Sequence, residues 1–212
     1  MAETSPFDTE ASLIESLKGM FKGNDKTYLG SAYHKIVEGK FEMSGPFILA
    51  DDFVFTAEQY APALLYRNLH PTMQHEVPVN KVYETMYGPI QVTGRLDGIE
   101  GAQGRDVKLK FASPDMQEYH DSCQWRFYLD MLMADVFWYD VFEVKQFKQL
   151  PVQKPYIIRE VAIVPHEPYQ CLRYQGMGDD VLQVLNQFLS YIEDRQFHHL
   201  LKPAMQHENI IF

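Results

Sequence analysis

The chain has 212 residues, 46% of them hydrophobic and 14% aromatic, which suits one domain with a sizeable core and excludes wholesale disorder. Its formal net charge of −10 counts against a general nucleic-acid coat protein, since phosphate binding is driven by Lys and Arg, but not against an enzyme with a local basic patch and a bound metal. No apolar run reaches the roughly 18 residues of a membrane span, and the two cysteines, Cys123 and Cys171, exclude a disulfide framework and a cysteine-held zinc or iron–sulfur centre.

The opening MAETSPFDTEAS is acidic and polar, unlike a secretory signal or an Arg-rich transit peptide. A reducing cytoplasm is the expected compartment, and both cysteines are expected to be small buried hydrophobes. Residues 1–8 read as a loose arm. Helical spacing of Leu13, Ile14, Leu17, Met20 and Phe21 predicts a helix from Glu10 to Phe21. A second helix is predicted from Lys26 to Glu38, stopped by Gly39. Residues 40–55 read as irregular, with Asp51-Asp52 a solvated turn. Thr56-Ala57-Glu58-Gln59 is a capping box opening a helix to Leu69, with a later start or a kink expected at Pro62.

From Met73 the period changes to two. Glu76 to Tyr83 reads as a strand, demoted toward an edge or a bulge by Pro78. The stretch GRLDGIEGAQGRDVKLK, residues 94–110, reads as a hairpin around a glycine-rich turn. Ser113-Pro114-Asp115 starts a helix expected to run to Asp135. FWYDVFEVKQF, residues 137–147, and YIIREVAIV, residues 156–164, read as strands, the latter buried. Asp179-Asp180 heads a last amphipathic helix, and the tail from Phe197 has no assigned element. The order of elements predicts an α/β chain of mixed, α+β type, with helices covering a twisted sheet.

Chemistry concentrates in the hairpin. Residues two apart on a strand share a face, so Asp106 and Lys108 project together, and Asp97 on the partner strand reaches the same spot. Mg²⁺ takes hard oxygen ligands, commonly one or two carboxylates completed by water and phosphate oxygens. Two carboxylates and an ammonium therefore suit a divalent cation held beside a phosphate. A short D-x-K alone is also an ordinary surface pattern. Other positions can join it. His34, four residues after Gly30 on the second helix, offers an imidazole, and Gly30 is expected to admit a close backbone approach. Gln124 and Tyr128 share a helix face. Glu76 is placed to support from the preceding strand.

Taken together and in order, Gly30-x-x-x-His34, Glu76, Gly94-Arg95-Leu96-Asp97, Asp106-Val107-Lys108 and Gln124-x-x-x-Tyr128 resemble the RecB-like exonuclease branch of the PD-(D/E)XK nuclease superfamily. The likeness covers about residues 26–135. It implies a restriction-endonuclease-like core: a helix, a three-stranded antiparallel meander, a helix and further strands. The expected domain is 1–212, with a motif-bearing core about 26–164 and a helical C-terminal extension about 165–212. It implies a Mg²⁺- or Mn²⁺-dependent DNA phosphodiesterase without an iron–sulfur cluster. Asp97 and Asp106 would be the metal carboxylates, the Val107 carbonyl a backbone ligand, His34 a further ligand and Lys108 the catalytic lysine. Glu76 would be a supporting acid, and Gln124 and Tyr128 would shape the site and touch DNA. Phe111 stands where relatives often carry a polar residue, and Lys110 is a candidate substitute for Lys108 or a phosphate contact.

Size resembles stand-alone phage or bacterial recombination exonucleases, so the expected setting is the cytoplasm of a bacterium or phage-infected host, with DNA as substrate, no membrane, and room for a homo-oligomer or a recombination partner protein. The alternatives are a catalytically silent DNA- or protein-binding protein on the same fold and a structure-selective endonuclease. His198-His199 read as surface, and Phe137-Trp138-Tyr139 as core. Walker and G-x-S-x-G motifs are absent from the sequence.

Overall fold

A computed structural model describes residues 10–20, 23–158, 160–201 and 210–211. The expected arm at 1–8 and the end of the first predicted helix at Phe21 lie outside these residues. Helix α1 spans Glu10–Leu17 and α2 spans Asp25–Glu38. Strands β1 (Glu42–Ser44), β2 (Phe47–Ala50) and β3 (Phe53–Phe55) precede α3 (Ala57–Leu69). The meander follows as β4 (Gln74–Thr85), β5 (Gly88–Glu100) and β6 (Gln103–Lys110). Then come α4 (Met116–Asp121), α5 (Gln124–Leu132), β7 (Val136–Lys145), β8 (Tyr156–Ile157), β9 (Ala162–Pro165) and β10 (Tyr169–Leu172). Helix α6 (Met177–Asp194) and strand β11 (Ile210–Ile211) complete the order. No described helix is long and apolar enough to cross a membrane.

The larger sheet runs β10-β7-β6-β5, with β4 antiparallel to β5, β9 antiparallel to β7 and β11 parallel to β5. Strands β5 and β6 are antiparallel, whereas β6 and β7 are parallel across the crossover made by α4 and α5. A helix, a three-stranded antiparallel meander, helices and a further strand follow in the core order the sequence resemblance implies, and the structure adds that this strand, β7, runs parallel to β6.

Alternation on β7 sets the layers. Phe137, Tyr139 and Val141 pack with Leu96 against Trp125, Tyr128 and Leu129 of α5. Phe142 and Val144 pack with Val107 against Leu29, Tyr33 and Ile36 of α2 and Ala63 of α3. Tyr83 and Val92 meet Val181, Leu185 and Leu189 of α6. The sheet is thus covered on both faces.

Several sequence expectations change. Residues 40–55 are not irregular: β1, β2 and β3 form a small sheet joined by β8. Ile48, Phe53 and Phe55 alternate inward onto α2 and α3, and Asp51, at φ 48°, makes the turn between β2 and β3. Pro62 neither delays nor ends α3, which starts at Ala57 behind its capping box. The expected strand 156–164 is two pieces in two sheets. The buried Gln59 amide donates to the Ile158 and Val161 carbonyls, replacing the ladder bonds lost there. The expected helix to Asp135 breaks at Ser122 and Cys123, where the Trp125 indole and Arg126 guanidinium each donate to the His120 carbonyl at 3.1 Å. Cys171 is buried as expected, but Cys123, at this break, is exposed.

Candidate active site

The site begins where β5 and β6 part. Their ladder runs from Glu100↔Gln103 to Gly98↔Arg105 and then stops. Leu96 faces the α5 layer, so Asp97 turns the opposite way, toward α2. Its Oδ2 accepts the Val107 N–H at 2.7 Å. A side-chain carboxylate thus takes the place of the backbone carbonyl that continued pairing would have supplied. On the other side of β6, Asp106 and Lys108 share a face with Tyr139 and Val141 of β7. The two carboxylates approach from opposite faces of the sheet and meet in the split.

Each wall adds a side chain. From α2, His34 Nδ1 stands 3.7 Å from Asp97 Oδ1. From the first turn of α5, Gln124 donates to Asp106 Oδ1 at 3.1 Å. Four residues on, the Tyr128 hydroxyl donates to the Arg95 carbonyl at 2.8 Å, fixing the β5 backbone just before Asp97. The helix break at Ser122 is what places Gln124 at a helix start, where the positive end of the dipole favours the Asp106 carboxylate. Lys108 Nζ stands 2.8 Å from Asp106 Oδ2.

The electrostatics follow from this crowding. Burial first, and the Asp106 charge second, push the Asp97 carboxyl up to about 8. Burial also lowers the His34 pKa, outweighing the pull of Asp106, so the imidazole is neutral and able to donate a lone pair. Burial works against the Lys108 charge, but Asp106 and then Asp97 outweigh it and raise the ammonium's pKa. The arrangement holds an acidic pair short of positive charge, a neutral nitrogen donor and one committed cation.

The remaining predicted residues sit farther out. Glu76 lies across from Asp97, between the pairs His75↔Gly98 and Val77↔Leu96, in a left-handed conformation at φ 54°. Its carboxylate turns to Arg95, 3.2 Å away. Lys110 pairs with Glu118 of α4 at 3.3 Å and lies over the Tyr119 ring. The Val107 side chain is buried in the α2–α3 layer. Phe111 packs on Phe147 and does not enter the pair of carboxylates.

Gly30 does not serve a close approach: a Cβ there would meet nothing within 4 Å. A glycine that does, beside the site, is Gly94, where a Cβ would lie 2.6 Å from Tyr128 Cε1. His75, which sequence reasoning passed over, also borders this region. Burial lowers its pKa, and its Nδ1 is buried without a hydrogen-bond partner. The only sequence signal for it was its place next to Glu76. His198 and His199 are exposed, as expected, and Phe137 and Tyr139 are core.

Among the described residues, no three His, Cys, Asp or Glu side chains converge tightly enough to enclose a metal ion by themselves. A cage is not what Mg²⁺ requires, since one or two carboxylates with water and substrate oxygens suffice. What fits a cation here is the convergence of the Asp97 and Asp106 side chains on one split, where burial and then the Asp106 charge raise the Asp97 pKa and positive charge between the two would relieve them.

No family model and no curated protein matches the sequence. The fold is similar to that of the "Putative exonuclease" of Eubacterium rectale, at 12% identity and a TM-score of 0.51, covering 92% of this chain and 76% of that one. A second solved structure, SSO0001, superposes at a TM-score of 0.41 with 13% identity, covering 61% of this chain and 55% of its own, which is too slight to carry an argument. The first likeness establishes the fold, a mixed α/β chain with two mixed sheets.

Proposed function

We propose that this chain is a metal-dependent deoxyribonuclease that hydrolyses phosphodiester bonds and acts as an exonuclease on DNA ends. The observation that carries the reading is the meeting of Asp97, Asp106, Lys108, His34 and Gln124 at the split between β5 and β6. The fold shared with the "Putative exonuclease" of Eubacterium rectale is in keeping with it.

A Mg²⁺ or Mn²⁺ ion bound there would polarise the phosphate and activate water. Asp97 and Asp106 would hold it, with the neutral His34 imidazole and the Val107 carbonyl available as further ligands. Gln124 fixes the orientation of Asp106, and the Val107 amide does the same for Asp97, so that both would be ready for a cation. Lys108 is positioned for the charge that develops on phosphate and attacking water. Tyr128 fixes the strand that carries Asp97. Glu76 and Lys110 act from the rim, on the electrostatics and on the incoming backbone phosphates. Nothing in this arrangement reads a defined DNA sequence, which favours action on ends.

The test uses end-labelled linear DNA and a closed circle of the same sequence, with Mg²⁺, Mn²⁺ or EDTA, beside Lys108→Ala. Loss of the linear DNA alone, dependent on metal and Lys108, is the expected outcome. Cutting of the circle would make the protein an endonuclease. Inertness toward both DNAs would leave a silent binding protein on this fold.

A further inference from the structure

A cavity lies beside β10, the strand two places from β6 in the larger sheet. It has a volume of about 440 Å³ and is lined by His120, Trp125, Arg126, Tyr169, Tyr174 and Asp180, at the α4–α5 junction, β10 and the start of α6. That volume falls within the roughly 300–1,000 Å³ of small-ligand sites. Trp125 is its buried aromatic and Tyr174 its exposed one, their rings 6.1 Å apart and edge to face. The Arg126 guanidinium lies 5.0 Å over the Trp125 ring. One Arg126 nitrogen is spent on the His120 carbonyl, but Nε is buried and has no hydrogen-bond partner. Asp180 accepts the Tyr174 hydroxyl, so its charge is engaged.

A buried guanidinium N–H without an acceptor is costly, and a ligand oxygen or ring nitrogen would satisfy it. Aromatic faces beside a cation suit a flat ring bearing acceptors next to an anion. The cavity is also joined to the catalytic strand. Lys110 lies 5.6 Å over the Tyr119 ring, and Tyr119 is 6.4 Å from Tyr169 on the cavity wall. Tyr169 of the cavity wall pairs with Tyr139 of β7, which in turn pairs with Asp106, so the cavity stands two strands to the side of that acid. In a chain of net charge −10, phosphate attraction alone holds nucleic acid poorly, and stacking gives an attraction that overall charge does not cancel.

We propose that this cavity holds an unpaired nucleobase of the DNA strand being cut, stacked on Tyr174 and Tyr169, with Arg126 on the neighbouring phosphate. The assignment rests on the nuclease reading of the adjoining site, and it makes single-stranded DNA, or a frayed duplex end, the substrate.

The chain has two tryptophans, Trp125 and Trp138, so Trp138→Phe leaves Trp125 as the sole indole reporter. The full-length Trp138→Phe protein in EDTA is titrated with a short oligothymidylate and with a blunt hairpin duplex. Saturable quenching of Trp125 by the single strand and little by the duplex is expected. Adding Tyr174→Ala should weaken the single-strand midpoint about ten-fold or more. In Mg²⁺, Tyr174→Ala and Arg126→Ala should raise KM on the same oligonucleotide with kcat nearly unchanged. Arg126 also caps α4, so Tyr174→Ala decides if the arginine variant fails to fold. Unchanged KM and midpoint in a folded Tyr174→Ala protein would overturn the base site while leaving the nuclease reading intact. Quenching that depends on Tyr174 in a protein that cuts no DNA would keep the base site and overturn the nuclease reading.

Discussion

The backbone amide of Val107 and the carboxylate of Asp97 are joined at 2.7 Å, across the point where β5 and β6 separate. One acid therefore has two duties: it satisfies a strand amide, and it presents its second oxygen to the site. The duties separate by substitution. Asp97→Asn keeps an acceptor for Val107 and removes the charge, whereas Asp97→Ala leaves a buried N–H unpaired at a cost of roughly 1–3 kcal/mol. Both variants should lose metal-dependent cleavage. Measured in EDTA near pH 6, the urea midpoint of Asp97→Ala should lie below that of Asp97→Asn.

The pH dependence of the metal-free protein follows from the same residue. The Asp97 pKa is raised from the ordinary 3.8 to about 8. Between those values the folded chain binds more protons than the unfolded chain, so stability falls as pH rises. His34, lowered from 6.5, acts in the opposite direction, but only below its ordinary value. Between about pH 7 and 8 the His34 window has closed and the Asp97 effect remains. The thermal midpoint in EDTA should fall from pH 7 to 9 in the native chain and stay flatter in Asp97→Asn. Mn²⁺ binding at pH 7 should release a proton, seen as a buffer-dependent enthalpy in calorimetry.

Lys108 and Gln124 both touch Asp106, yet they should fail differently. Lys108→Met removes the charge meant for the transition state and should lower kcat by about 100-fold or more. Metal affinity should hold or rise, because the carboxylates lose a competing cation. Gln124→Ala frees Asp106 to rotate and should weaken Mn²⁺ binding by roughly 10–100-fold. Calorimetry beside single-turnover cleavage separates the two patterns.

Gly94→Ala places a methyl 2.6 Å from the Tyr128 ring. The ring must move, and with it the hydroxyl that holds the Arg95 carbonyl. A stability loss of about 1–3 kcal/mol is expected from overpacking. Tyr128→Ala should rescue part of that loss in the double variant, and chemical denaturation measures the coupling. Gly30→Ala, in open space on α2, should be neutral or slightly stabilising by the same measurement.

The buried ion pair beneath the sheet gives a contrast with the site. Arg105 donates to both Asp140 oxygens at 2.9 Å, and Tyr66 donates to the same carboxylate. Arg105→Ala should cost about 3–5 kcal/mol by stranding Asp140. Chemical denaturation reads the loss, and activity per folded molecule should be preserved.

The meander and the α2 and α5 positions were legible because each rests on a local rule. Period-two spacing put Asp106 and Lys108 on one face, and period-four spacing put Gln124 and Tyr128 on one face even though the helix carrying them is shorter than expected. The site's depth was not legible. Asp97 reaches the site only because β5 leaves β6, and that departure depends on register. The small sheet escaped because Phe47–Ala50 and Phe53–Phe55 are too short for alternation to stand out. The divided strand after Tyr156 escaped because Gln59, far away in sequence, supplies its missing hydrogen bonds. Cys123 was misread because a helix break exposes it.

The parallel pairing of β6 with β7 has a consequence for how the molecule comes into being. Strands β4, β5 and β6 can zip together as neighbours, whereas β7 joins only after two helices have crossed the sheet, and such distant pairings form slowly. Gln124 rides on that crossover. A chain still emerging during synthesis can thus bring Asp97 and Asp106 into one hairpin before it has the wall that orients them. Catalytic competence should appear late in refolding, together with docking of β7, and fragments ending before Val136 should lack it.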